Sequence, residues 1–250
     1  MLSIELYRQT LAKIDDWDAY LQSESRLPGA RSNLELMYAV ADLTSEQNIQ
    51  RWLDLTPTEA PENTPTCFLA CCGVISLGRL LCEGNLAWFE VLRQKANDPR
   101  WRVRESVCMA LQRYGKEQMN TLLTEMRRWS EGTLLEQRAA AAGLCEPALL
   151  KSPEQAREIL GILDGITHRM CQVTNRRQDD FKTLRQGMAY CWSVAVAALP
   201  ETGKKMMENW MGSTDVDIRW IMKENLKKNR LQKMDPVWVQ QWIQNMEDMK

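Results

Sequence analysis

The stretch DPRWRVRESVCMALQRYG, residues 98–115, decides the fold class of this chain. It opens with Asp98-Pro99, a dipeptide typical of turns because proline cannot continue a preceding helix. Beyond the turn, apolar residues recur every three or four positions, which is the spacing of one face of a helix. These residues are Val107, Cys108, Leu111 and Tyr114. The stretch therefore predicts a turn followed by an amphipathic helix.

The same pattern recurs along the chain at intervals that fit a helical repeat. When Arg219 is aligned with Arg104, the apolar residues that follow each arginine also align. The positions equivalent to Arg104 are Arg31, Cys67, Arg104, Arg138, Arg185 and Arg219, spaced by 36, 37, 34, 47 and 34 residues. Each interval is long enough for two helices and two turns. The expected core pairs that follow these anchors are Leu34 and Tyr38, Ala70 and Val74, Val107 and Leu111, Ala141 and Cys145, Met188 and Trp192, and Met222 and Leu226.

This period predicts the organisation of the whole chain. We expect an all-α fold, a right-handed α-α superhelix of about six helical repeats that forms a single domain over residues 1–250. The repeats would cover residues 30–230, with capping helices over 1–25 and 235–248, because terminal repeats of a stack must be closed. The proline-rich segment LTPTEAPENTPT, residues 55–66, is predicted to be a surface loop between early repeats.

An Asp-Pro turn, a Val-Arg pair and a helix rich in small residues that closes near a glycine resemble the second helix of a HEAT repeat. The match is good in residues 98–115 and fair in TDVDIRWIMKENL, residues 214–226. The resemblance implies an armadillo-like stack that presents a concave surface to a macromolecular partner.

Composition favours an ordinary intracellular domain. The net charge of −1 lacks the strongly basic balance of a typical nucleic-acid binder. No stretch reaches about 18 uninterrupted apolar residues, so no membrane association is expected. The cysteines lie mostly in apolar helical runs and are predicted to be reduced, which favours a cytoplasmic location. They are Cys67, Cys71, Cys72, Cys82, Cys108, Cys145, Cys171 and Cys191.

The sequence contains no recognisable catalytic motif, cofactor motif or metal-ligand spacing, so we expect no catalytic residue, cofactor or metal. The single histidine, His168, is predicted to be structural or to lie on the surface. Asp98 and Asp215 are predicted helix N-caps. Carboxylates beside tryptophans could instead stabilise positive charge on a nucleotide substrate.

Arginine and tryptophan supply the candidate binding residues. The repeated arginines are expected to tie helix ends to neighbouring turns, because a guanidinium carries five donors in a fixed fork. Alternatively, some of them face the groove and bind anions. Tryptophans beside arginines could stack on a ligand ring. The candidate groove residues are Arg100, Trp101, Arg102, Arg104, Arg138, Arg185, Arg219 and Trp220.

Three functions remain open from the sequence. The leading hypothesis is a non-catalytic HEAT-repeat scaffold with a protein partner, with nucleic acid as a possible partner. The second is an enzyme, because residues 213–244 also resemble the bacterial HEAT-like glycosylases that repair alkylated DNA, although the tryptophan-rich segment that carries their catalytic aspartate has no clear counterpart here. The third is a HEAT protein that positions a chromophore, like phycobilin lyases.

Overall fold

A computed structural model describes residues 3–248, and all regular secondary structure in this range is helical. The helices fall into two compact units, unit 1 (Met1–Glu117) and unit 2 (Gln118–Lys250). Residues 1–2 of the expected N-terminal capping helix and residues 249–250 of the expected single domain lie outside the described range. The expectation of an all-α chain is confirmed.

Unit 1 is built around one long central helix. Its helices are α1 (Ile4–Leu11), α2 (Trp17–Glu24), α3 (Leu34–Leu43), α4 (Glu46–Leu53), α5 (Pro65–Cys82), α6 (Trp88–Ala96) and α7 (Trp101–Gly115). Helices α3 and α7 both pack against α5, and α4 and α6 pack against it as partner helices. Gly78 allows the closest approach, because a Cβ there would lie 2.7 Å from the Ala110 carbonyl oxygen of α7.

Helix α5 begins at a clear local signal. The Thr64 side chain accepts a hydrogen bond from the Cys67 N–H, and Pro65 occupies the first turn, where its missing N–H costs nothing. By length and composition alone α5 could cross a membrane, although Arg79 interrupts its apolar run. However, 78% of its residues are buried inside unit 1, where it forms the core.

Unit 2 consists of two layers of helices. Its helices are α8 (Met119–Trp129), α9 (Leu134–Leu144), α10 (Pro153–Gln172), α11 (Asp179–Ala198), α12 (Pro200–Met211), α13 (Val216–Leu226), α14 (Asn229–Met234) and α15 (Pro236–Asp248). Helix α11 packs between α9 and α13, and α10 packs between α8 and α12. The helices that carry the arginine anchors thus form one layer and their partner helices the other, which is the arrangement of an α-α solenoid.

The predicted core positions are buried in five of the six repeats. Each predicted core residue is at most 3% exposed in the repeats that follow Cys67, Arg104, Arg138, Arg185 and Arg219. The prediction is wrong for the first repeat, because Leu34 is only half-buried and Tyr38 is 40% exposed. Helix α3 instead buries Leu36 and Met37, so its inward face is displaced from the register of the later repeats.

The expected N-terminal helix over residues 1–25 is also wrong in detail, because two helices occupy this range. Helix α1 ends at Leu11, and Asp16 starts α2 by accepting a hydrogen bond from the Ala19 N–H. An aspartate at this position satisfies a helix N-terminus, and it therefore favours a new helix over continuation of the first. At the other end of the chain, α15 covers Pro236–Asp248, close to the range expected for the C-terminal helix.

Candidate functional site

The turn before α7 is fixed by a buried ion pair between Asp98 and Arg100. The Asp98 carboxylate accepts hydrogen bonds from the Arg100 Nε at 2.8 Å and Nη2 at 2.7 Å, and both side chains are less than a tenth exposed. Arg100 Nη1 donates to the Ala60 carbonyl oxygen of the proline-rich loop at 3.1 Å. Burial lowers the pKa of the Arg100 guanidinium, but the hydrogen bonds and charge of Asp98 outweigh this effect and raise it. Arg100 is therefore held inside the protein as a cation that joins the turn to the loop.

Arg102 joins two loops that lie far apart in the sequence. Its Nη2 donates to the Gly29 carbonyl oxygen at 2.6 Å and to Asn63 Oδ1 at 3.0 Å, and its Nη1 donates to Ser32 Oγ at 3.3 Å. Its Nε lies 3.2 Å from a carboxylate oxygen of Glu62, as an ion pair without hydrogen-bond geometry. The guanidinium is thus engaged by the protein from several sides and is 6% exposed.

Trp101 lies at the mouth of a cleft between α3 and α7, here called the Trp101 cleft. The guanidinium carbon of Arg102 is 4.3 Å from the centre of the Trp101 ring, which fixes the ring by a cation–π contact. Trp101 remains 45% exposed, more than any other tryptophan between residues 3 and 248. The cleft has a volume of about 300 Å³. Its lining consists of Ala30, Arg31, Ser32, Leu34, Met37, Cys71, Trp101, Arg102, Glu105, Ser106 and Met109.

The walls and the floor of the Trp101 cleft come from three helices. Leu34 and Met37 come from the start of α3, Met109 comes from α7, and the buried Cys71 of α5 belongs to the lining between them. The hydrogen bond with Cys67 and, after it, desolvation raise the pKa of the Cys71 thiol well above its usual range. The thiol is therefore neutral, and most of the surface that lines the cleft is apolar.

A second cluster of arginine, aspartate and tryptophan lies at the start of α13. Arg176 donates from Nη1 to Asp215 Oδ1 at 2.7 Å and from Nη2 to Oδ2 at 2.6 Å, and it also reaches Asp217 at 3.1 Å. The Arg185 Nε lies 2.9 Å from an Asp217 carboxylate oxygen. The Arg185 guanidinium carbon is 3.6 Å from the centre of the Trp220 ring, which is only partly exposed. This cluster is closed by contacts among its own members.

The remaining candidate groove residues make structural contacts. Arg104 Nη1 donates to the carbonyl oxygens of Asp98 at 2.7 Å and Pro99 at 2.9 Å, and Arg219 Nη2 donates to the Met246 carbonyl oxygen at 3.2 Å. The Arg138 side chain crosses α11 so closely that a Cβ at Gly187 would lie 3.3 Å from its Cγ. These contacts fit the expected role of tying helices and turns together. Of the eight candidates, the structure thus places only Trp101 and Arg102 in the lining of the cleft.

Asp98 and Asp215 differ in their relation to a helix start. Asp215 is the N-cap of α13 and accepts hydrogen bonds from the N–H groups of Asp217 and Ile218, as predicted. The prediction is wrong for Asp98, because Arg100 occupies the N-cap of α7 and Asp98 accepts from its N–H at 2.8 Å. Pro99 separates Asp98 from the helix, so the Asp98 carboxylate accepts from the Arg100 N–H and not from N–H groups within the first turn of α7. Both carboxylates are occupied by an arginine, and neither is presented to a substrate.

The described residues contain no group of three histidine, cysteine, aspartate or glutamate side chains that could hold a metal ion. The side chain of His168 is 67% exposed and meets the edge of Trp210 with ring centres 4.6 Å apart, which agrees with a surface histidine. The sequence does not predict the cleft walls, because the helical period places Leu34 in the core. The signal that could have found them is the apolar pair Leu36 and Met37 in α3, which can take the core positions in place of Leu34.

Comparisons with known proteins give only remote similarity. No protein-family model matches this chain, and no curated protein matches it. Among solved structures, an engineered protein from the Northeast Structural Genomics Consortium is 13% identical with a TM-score of 0.37, covering 97% of this chain and 98% of that chain. The designed armadillo repeat protein YIII(Dq)4CqI is 14% identical with a TM-score of 0.31, covering 83% of this chain and 98% of that chain. The fold assignment therefore rests on the helix packing described above.

Proposed function

We propose that this chain is a non-catalytic helical-repeat binding protein whose Trp101 cleft takes a segment of a protein partner. The observation that carries this proposal is the exposed Trp101 ring, held in place by Arg102 at the mouth of an apolar cleft. A large aromatic side chain that is fixed before binding contributes contact area at a low cost in conformational entropy, and such residues dominate the binding energy of interfaces.

The size of the cleft supports a peptide segment as its occupant. A volume of about 300 Å³ lies at the lower limit of sites for small molecules and cofactors. It suits one large side chain with its flanking backbone. Polar groups of the lining, such as those of Ser32 and Glu105, supply atoms that can hydrogen-bond to that backbone.

The positions of Asp98 and Asp215, the two candidate carboxylates for base excision, support a binding function over a catalytic one. A carboxylate that stabilises a cationic transition state must face the reacting atoms. Asp98 and Asp215 instead face arginines from within the protein. We therefore expect no release of free base from duplex DNA that carries methylated purines, assayed with protein in excess over DNA.

We further propose that the chain acts in the cytoplasm and as a single domain. The eight cysteines are free, and six of them are buried. Free thiols in this number are typical of proteins from a reducing compartment.

The test is a selection of random 12-residue peptides displayed on phage against the full-length protein. Enriched peptides are synthesised with a fluorescein label and titrated by fluorescence anisotropy. We expect Trp101→Ala to weaken binding about tenfold or more, in line with the loss of an aromatic anchor. The matched control is Tyr190→Ala, because Tyr190 is 41% exposed and also lies under an arginine, with Arg230 at 4.5 Å.

Circular dichroism and thermal unfolding of both variants establish that each is folded. The proposal fails if no peptide is enriched, or if the enriched peptides bind Trp101→Ala as tightly as the unmodified protein. Equal losses in Trp101→Ala and Tyr190→Ala would also contradict it, since only the first residue lies in the cleft.

A further inference from the structure

We infer that the Trp101 cleft selects a peptide segment in which a large apolar residue adjoins an aspartate or glutamate, and that Arg31 binds this carboxylate. This inference rests on the proposed function and adds the chemistry of the partner. It combines two features of the same cleft, an apolar interior and one unpaired positive charge on the rim.

Arg31 carries the unpaired charge. Its side chain is exposed, it belongs to the lining of the cleft, and it makes no hydrogen bond or ion pair with any residue between 3 and 248. The other charges nearby are already engaged. Arg102 pairs with Glu62, Arg26 lies 3.6 Å from a carboxylate oxygen of Glu35, and Glu105 also interacts within the protein. An incoming carboxylate would therefore find its counter-charge at Arg31.

The interior of the cleft accounts for the apolar residue. Met37 and Met109 line it together with Leu34 and the Trp101 ring. Methionine side chains are unbranched and polarisable, so they adapt to differently shaped apolar side chains. The two methionines predict that the cleft accepts leucine, methionine or phenylalanine at the apolar position of the peptide, and that it does not accept a polar residue there.

The charges around the cleft oppose nucleic acid as the occupant. A nucleic-acid strand brings one phosphate with each nucleotide and needs a track of cations. Here the lining carries the carboxylate of Glu105, Arg102 is paired with Glu62, and among residues 3–248 only the guanidinium of Arg31 in this lining is without a partner. A partner with one carboxylate fits this arrangement better than a strand with many phosphates.

The experiment uses the 12-residue peptides whose binding depends on Trp101. In each, an acidic residue next to the apolar anchor is replaced by its amide, and both forms are titrated against the full-length protein and Arg31→Gln. We expect the amide form to bind about three- to fivefold more weakly to the unmodified protein, the size of one exposed ion pair. Against Arg31→Gln the two forms should bind equally.

Arg177→Gln is the matched control, because Arg177 is also an exposed arginine but lies in unit 2. It should leave the difference between the acid and amide forms unchanged. Sodium chloride should reduce that difference in the unmodified protein, since an exposed ion pair is screened within about 10 Å at 0.1 M salt.

The outcomes separate the inference from the proposed function. Peptides that depend on Trp101 but lack acidic residues, or that bind Arg31→Gln with the same preference for the acid form, would overturn the inference and leave the binding function intact. The absence of any peptide that depends on Trp101 would overturn both. Binding of a fluorescein-labelled 12-nucleotide thymidine strand that is lost in Trp101→Ala would assign the cleft to nucleic acid instead.

Discussion

The starts of α7 and α13 are built from the same residue types but end in different arrangements. At α7, Asp98 binds Arg100, and Trp101 lies beneath the arginine that follows it, at 45% exposure. At α13, two aspartates share two arginines, and Trp220 lies beneath Arg185 of the neighbouring helix α11. The first arrangement leaves an aromatic ring at the mouth of a cleft, and the second packs the ring away.

The difference depends on where the arginine that covers the tryptophan comes from. Arg102 is the residue next to Trp101, and its donors are directed towards loops at Gly29 and Asn63. Arg185 comes from another helix and brings a second element over Trp220. Arg102, from the same helix as Trp101, thus orients the Trp101 ring and leaves much of it exposed, whereas Arg185, from a neighbouring helix, covers the Trp220 ring. The same composition can therefore leave a tryptophan ring exposed in one unit and partly buried in the other.

The largest expected effect is at Asp98, whose carboxylate pairs with the buried Arg100 before α7. Asp98→Asn should lower the free energy of unfolding by about 3–5 kcal/mol, because it leaves the buried Arg100 without a counter-charge. Urea unfolding followed by circular dichroism measures this loss. Asp179→Asn serves as the control, since the Asp179 side chain is 94% exposed and its replacement should cause no measurable change. Equal stability of Asp98→Asn and the unmodified protein would show that Arg100 does not depend on this counter-charge.

A smaller loss is expected at Asp215. Asp215→Asn should cost about 2 kcal/mol, because it weakens both the N-cap of α13 and the paired hydrogen bonds from Arg176. Arg176 is less buried than Arg100, with 27% of its side chain exposed against 3%, so the penalty for losing the partner is smaller. A loss larger than that of Asp98→Asn would reverse the ranking of the two clusters.

The Asp215 effect should also depend on pH. Burial raises the pKa of Asp215, but the hydrogen bonds from Arg176 and from the Ile218 and Asp217 N–H groups outweigh burial and lower it below 3.8. A lowered pKa in the folded state contributes stability above pH 3.8, and this contribution disappears as the pH falls through the folded-state value. The difference between Asp215→Asn and the unmodified protein should therefore be constant near neutral pH and shrink in acid below about pH 4.

The two tryptophans test the comparison directly. Trp220→Ala should lower the free energy of unfolding by about 2 kcal/mol, and Trp101→Ala by about 1 kcal/mol or less, because more of the Trp101 ring is already in contact with solvent. Urea unfolding of both variants measures the difference. If Trp101→Ala proves the more destabilising, then Trp101 is a packing residue and the proposed cleft loses its main support.

Much of the fold could be predicted because its determinants are local. The spacing of Val107, Leu111 and their equivalents follows from one face of a helix, and a turn signal such as Asp98-Pro99 precedes it. The displaced inward face of α3 could not be predicted, because it depends on how that helix packs against α5. A residue such as Leu34 fits the helical period whether it faces the core or a cleft.

The site was harder to predict because its geometry depends on long-range contacts. The sequence singled out Trp101 and Trp220 by the same rule, a tryptophan beside an arginine. Their different exposure depends on the bond from Arg102 to Gly29, 73 residues earlier, and on the contact between Arg185 and Trp220 from separate helices. Neither contact has a local signature in the sequence.

The smallest effect is expected at Asp217, and it tests whether the α13 cluster has a reserve that the α7 cluster lacks. Asp217→Asn removes a partner of Arg176 and Arg185, but Arg176 keeps both oxygens of Asp215 and Arg185 keeps the Trp220 ring. The loss in the free energy of unfolding should therefore be about 0.5 kcal/mol, as for a partly exposed ion pair.

Urea unfolding of Asp217→Asn, Asp215→Asn and the double variant measures how far the two carboxylates replace each other. A combined loss greater than the sum of the single losses would establish that reserve, because each aspartate then holds the arginines when the other is gone. Simple additivity would contradict it, and would make the α13 cluster two independent pairs like the single pair at α7.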